Sequence, residues 1–131
     1  MSAPRVKDQQ ELSVDECLDL LEAGTYGRVA FVVDGEPDIL PVNYCLDGGA
    51  IVIRTGRGRL LDATHLTNVA FEVDGINADG AWSVVVRGKG LEASDPADLA
   101  ELRRLPLEPW APGDLDHYIR IMPKAITGRR V

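Results

Sequence analysis

Residues 28–62 read RVAFVVDGEPDILPVNYCLDGGAIVIRTGRGRLLD. Arg28 to Val33 is rich in β-branched and aromatic residues and stops at Asp34-Gly35, a dipeptide that supplies the positive backbone dihedrals of a two-residue hairpin. Pro37 to Leu46 then reads as the return strand, and Asp47-Gly48-Gly49 turns the chain again into Ala50 to Thr55. Pro37 and Pro41 cannot donate ladder hydrogen bonds, so the middle strand is expected to be an edge or to carry a bulge. Three strands joined by two tight turns make an antiparallel meander, because parallel strands need a long crossover.

The end of the stretch carries the chemistry. Ile51, Val52 and Ile53 lead into Arg54 and Thr55, a Gly56-Arg57-Gly58-Arg59 loop follows, and Leu60 and Leu61 open a short helix. Guanidinium groups, a hydroxyl and free backbone N–H groups gathered at a helix start suit a phosphate. The glycine spacing fits neither GxxxxGK[ST] nor GxGxxG, and the antiparallel meander removes the crossover helix that both nucleotide folds require.

On the N-terminal side, residues 1–11 are polar and read as a flexible arm. Ser13 with Glu16 forms a capping box, and Val14, Cys17, Leu18 and Leu21 recur at helical spacing until Gly24, which predicts a helix over Ser13 to Ala23. On the C-terminal side, Leu60 to Leu66 predicts a short helix and Asn68 to Val73 a strand closed by Asp74-Gly75. After a polar tip at 77–80, Ala81 to Gly90 is the longest β-like run, with Trp82, Val84 and Val86 on one face and Ser83, Val85 and Arg87 on the other. Gly88 and Gly90 permit a bend or bulge. Asp95-Pro96 starts a helix to about Leu105, prolines 106, 109 and 112 make an extended connector, and His117 to Ile126 is a last strand. About six antiparallel strands with two or three short helices fit a mainly β architecture, a small β-barrel with peripheral helices, forming a single domain over residues 12–131.

The 131 residues suffice for one core without staples. A net charge of -7 argues against a nucleic-acid partner, which would need a broad basic face, and makes the cluster of Arg54, Arg57 and Arg59 stand out as a site for a small anion. Cys17 and Cys45 read as buried free thiols, and two distant histidines give no metal site. There is no apolar run of signal-peptide or membrane-span length, so the expectation is a cytoplasmic protein with no membrane partner.

The sequence also resembles a known family, the pyridoxamine 5′-phosphate oxidase-like flavoproteins, and within it the small actinobacterial branch related to nitroimidazole reductases. The resemblance rests on Gly27-Arg28-Val29-Ala30-Phe31, Leu40-Pro41-Val42-Asn43-Tyr44, Ile53-Arg54-Thr55 with Gly58, and Phe71-Glu72-Val73-Asp74. It continues through Trp82 to Gly88 and Pro109-Trp110-Ala111-Pro112-Gly113 to Thr127-Gly128-Arg129-Arg130. It implies a split β-barrel that forms a homodimer, with FMN in each of two clefts at the subunit interface. By the same resemblance Arg54 and Thr55 hold the flavin phosphate, with Arg57, Gly58 and Arg59 in the loop beside them. Pro41, Val42 and Asn43 lie along the isoalloxazine, Trp82 and Ser83 contribute at the same cleft, and Trp110 and Arg129 reach the partner's cofactor.

One position departs from the family pattern. Where this branch carries lysine two residues after the glycine matched by Gly58, this chain has Leu60. The activity implied is an FMN-dependent oxidoreductase passing electrons from a reduced nicotinamide to a small oxidised acceptor. The alternative is a non-catalytic protein that binds, stores or senses flavin, the deazaflavin F420 or haem. No acid–base pair is needed for the first reading, because a flavin performs the electron transfer itself, and no catalytic side chain is assigned.

Overall fold

In a computed structural model the chain is described over residues 10–63, 67–108 and 116–131. The elements run β1 (Gln10–Glu11), α1 (Val14–Ala23), β2 (Tyr26–Val33), β3 (Glu36–Asp47), β4 (Ala50–Thr55), α2 (Arg59–Ala63), β5 (Thr67–Asn77), β6 (Gly80–Glu92), α3 (Pro96–Leu102) and β7 (His117–Arg130). All pairings are antiparallel, in the order β1-β7-β4-β3-β2-β5-β6, and β6 also pairs with β7. That last pairing closes β2 to β7 into a six-stranded ring, the expected split β-barrel, with β1 added outside β7.

Turn chemistry sets the meander. Asp34 and Gly35 have φ of 52° and 77°, and Gly48 and Gly49 have 58° and 83°, so each hairpin places both turn residues in the left-handed region. β3 changes partner along its length: Glu36–Asn43 pair with β2, and Tyr44–Asp47 pair with β4. Both prolines stand in the half that has β2 alone beside it, which is where a missing N–H is tolerated.

Three expectations shift at their edges. The arm expected over residues 1–11 gives way at its end, where Gln10 and Glu11 pair with Arg130 and Arg129. Asp74-Gly75 does not close a strand: β5 runs on to Asn77, and the turn falls at residues 78–79, between the paired Asn77 and Gly80. Gly75 is used to admit the Trp82 indole, since a Cβ there would lie 2.7 Å from Trp82 Cζ2. β7 extends beyond Ile126 to Arg130 because β6 continues beside it.

The bend expected at Gly88 is a bulge. Arg87 pairs with Ala125 and Gly88 with Pro123, so Lys124 is the extra residue, and a side chain at Gly88 would meet the Met122 carbonyl. The extra residue reverses the alternation: Ile119 and Ile121 face the barrel interior before it, and Ile126 and Gly128 after it. Val29, Ile51, Ile53, Phe71, Val84 and Val86 fill that interior.

α1 closes one side. Its capping box is formed, with Glu16 N donating to Ser13 Oγ and Ser13 N to Glu16 Oε1, each at 3.1 Å. Cys17 and Leu21 are buried, Cys17 in a space left by Gly128, and Tyr44 Oη donates to Leu21 O at 2.5 Å. α3 covers the outer face of β4 and β7, where Val52, Leu102, Leu107 and Tyr118 make a second, smaller core. Asp98 of α3 pairs with Arg120 of β7, which also reaches Asp47 at 3.3 Å.

Candidate functional site

Alternation along β4 sorts its last residues. Ile51 and Ile53 point into the barrel, so Val52 and Arg54 face outward. Arg54 is paired with Tyr118 of β7, and its guanidinium carbon stands 5.8 Å from the Tyr118 ring centroid, a cation–π contact with a ring that is itself buried. On β3, Val42 and Tyr44 are buried in the barrel, which leaves Pro41 and Asn43 outward. Since Tyr44 pairs with Ile53, Asn43 and Arg54 are the next residues on the same outer face of adjoining strands. Asn43 Nδ2 donates to Glu108 O at 3.0 Å, tying this face to the segment after α3.

The loop that follows starts at a buried Gly56 and opens at Arg57 and Gly58. Thr55 is half-buried and its hydroxyl makes a long 3.4 Å contact with Gly56 O. Arg57 is exposed. Gly58 has φ +155°, and a Cβ there would meet nothing within 4 Å. α2 begins at once, with Asp62 N donating to Gly58 O at 3.1 Å. By the alternation of β4 Arg54 projects from the outer face and Thr55 from the inner one, and with the exposed Arg57 and the Gly58 backbone they offer donors to a phosphate dianion from both faces of the strand end. The side chain of Arg59 lies outside the described residues.

Leu60 is only 3% exposed and packs in the barrel core. The departure from the family pattern therefore falls on a packing residue in this chain, and the cationic groups of the loop come from its neighbours.

The remaining expected residues form a second group. Trp82 is half-buried over Gly75. Ser83 is paired with Arg129 on one side and Asp74 on the other. These residues border a groove of about 350 Å³ that also includes Ile76 and Val131, and a neighbouring groove of about 420 Å³ adds Arg87, Thr127 and Glu11. The structure brings Trp82, Ser83 and Arg129 together, but not with Arg54 and Thr55. Arg54 is beside Tyr118 at the start of β7 and Arg129 is at its end, a separation along the strand of about 35 Å at roughly 3.3 Å per residue. Trp110 lies outside the described residues.

Sequence reasoning missed Tyr118 as the ring against Arg54, because only the β4–β7 pairing places a residue 64 positions away beside it. It also missed that His117, paired with Thr55, meets Glu92 at 2.7 Å. Cys17 is buried as expected and Cys45 only half-buried; desolvation raises the pKa of both thiols and pushes Tyr44 up to about 12. Among the described residues no group of side chains could hold a metal ion, and no helix is long and apolar enough to cross a membrane.

A closed antiparallel barrel with a strand-end arginine and a glycine loop at one rim defines a split β-barrel. The sequence profile of the pyridoxamine 5′-phosphate oxidase family matches residues 13–130, and the chain belongs to that family. The uncharacterized protein Rv0080 of Mycobacterium tuberculosis is 33% identical over 138 residues, covering 99% of this chain and 90% of the relative. A Corynebacterium glutamicum structure, provisionally described as a pyridoxamine 5′-phosphate oxidase, superposes with a TM-score of 0.85 at 38% identity, covering 95% of this chain and 98% of the other. A structure described as the FAD binding protein from Mycobacterium smegmatis has a TM-score of 0.77 at 39% identity, covering 92% and 95%.

Proposed function

We propose that this protein binds a flavin by its 5′-phosphate at the β4 rim, FMN in the first instance, and works as a flavin-dependent oxidoreductase on a small oxidised acceptor. The observation that carries the reading is the donor set itself: Arg54 over the Tyr118 ring, the Thr55 hydroxyl and the exposed backbone at Arg57 and Gly58. The relatives support it, since a protein 39% identical to this chain is described as FAD binding. The adenylate of FAD lies beyond the phosphate that the two flavins share, so the loop accepts either.

Arg54 and Arg57 neutralise the phosphate, and Tyr118 holds the Arg54 guanidinium in place. Asn43, fixed by its bond to Glu108 O, and Pro41 offer an outer strand surface beside the same rim. A bound flavin would supply acceptance of hydride from a reduced nicotinamide and its delivery to the acceptor. The chain's share is binding, orientation and exclusion of water.

The working unit in this proposal is a homodimer. Arg54 stands beside the first residues of β7 and Arg129 at its far end, too far apart to touch one ligand in one barrel. A second copy brings Trp82, Ser83 and Arg129 to the Arg54 loop of the first. The outer face of β2 and β3 suits such a contact, because Tyr26, Val32 and Ile39 are each more than half exposed there.

Arg54→Ala tests the site against Arg103→Ala, a half-exposed arginine 3.9 Å from Asp116. Titration with FMN should show an affinity loss of about tenfold or more for Arg54→Ala, the worth of a charge-assisted hydrogen bond, and none for Arg103→Ala. Equal affinities remove Arg54 from the site.

A further inference from the structure

We propose that His117, oriented by Glu92, is a further phosphate-binding residue of the loop; this rests on the flavin reading above. β7 lies between β4 and β6 in the ring, and His117 is paired with Thr55 across the β4 side. Directly opposed residues of an antiparallel pair have Cβ atoms about 5 Å apart and share a face. Glu92 approaches from the β6 side, with Oε2 2.7 Å from His117 Nδ1, and the two side chains are 31% and 35% exposed. The ring is thus held between the proposed anion loop and a carboxylate.

That order fixes the direction of the pair. Nδ1 is committed to Glu92, which sets the ring orientation and leaves Nε2 as the nitrogen that can meet a ligand. The doubly protonated imidazole can donate from Nε2 to a phosphate oxygen beside Thr55 while Glu92 balances its charge. His117 stands nearer the loop than Glu92 does, so the imidazole and not the carboxylate faces the phosphate. A purely structural pair would stitch β6 to β7 equally well with or without a ligand, and the experiment separates the two.

FMN and riboflavin, which lacks the phosphate, are titrated into the full-length protein and into His117→Gln. FMN affinity should fall about tenfold in the variant while riboflavin affinity stays unchanged. His117→Asn serves as the second variant if His117→Gln does not fold. Equal losses for FMN and riboflavin overturn the role of His117 and leave the flavin site standing. Failure of the wild type to bind either flavin overturns both.

Discussion

Replacing Leu60 separates packing from charge at the rim of the barrel. Its side chain is 3% exposed within the core, and α2, at five residues, is far below the length at which a helix holds by itself in water. Leu60, with the half-buried Leu61 beside it, anchors that turn. Leu60→Ala removes a fully buried leucine and leaves a cavity, a cost of about 3 kcal/mol. For a domain of this size that lowers the melting temperature by roughly 10 °C. Leu60→Lys restores the residue type expected from the family, but it must carry an ammonium out of an apolar interior and should destabilise by a similar amount. Because α2 fixes the end of the Gly56–Gly58 loop, both variants should bind FMN more weakly. Thermal unfolding and FMN titration of the two proteins are the assays. A Leu60→Lys protein that melts with the wild type and binds FMN more tightly would show the side chain facing the phosphate, and the assignment of Leu60 to the core would be wrong.

Two further predictions concern the frame that holds the site. Tyr44 is buried and its folded pKa is raised from 10.0 to about 12. Its contribution, about 2–3 kcal/mol by linkage, is present below pH 10 and is lost as pH climbs toward 12, where the unfolded chain ionises first. Tyr44→Phe should therefore be about 1 kcal/mol less stable at neutral pH, having lost the bond to Leu21 O, yet show a shallower decline between pH 10 and 12 in urea unfolding. Parallel declines would contradict this. Gly75→Ala should force the Trp82 indole aside, costing about 1–3 kcal/mol and shifting tryptophan fluorescence; unchanged stability and emission would place Trp82 elsewhere.

Local chemistry made most of the barrel legible. Asp34-Gly35, Asp47-Gly48-Gly49 and the Ser13 capping box each act over a few residues, and each formed where the sequence indicated. Gly75 was misread because a glycine that admits a distant indole looks like a glycine that turns the chain. The site was legible by halves. Arg54 and Thr55 announce themselves at the end of an apolar strand, whereas Tyr118 and His117 join them only through the β4–β7 register. The bulge at Lys124 decides which residues of β7 point inward beyond it, so the outward placement of Arg129 beside Ser83 was not readable from the alternation of the strand's first half. The separation of Arg54 from Arg129 exists only in three dimensions.

The most direct measurement is to purify the protein, release any bound small molecule with acid, identify it, and titrate the emptied protein with FMN and FAD. The account predicts a flavin, at one per chain when saturated. A colourless protein that takes up neither flavin would contradict it.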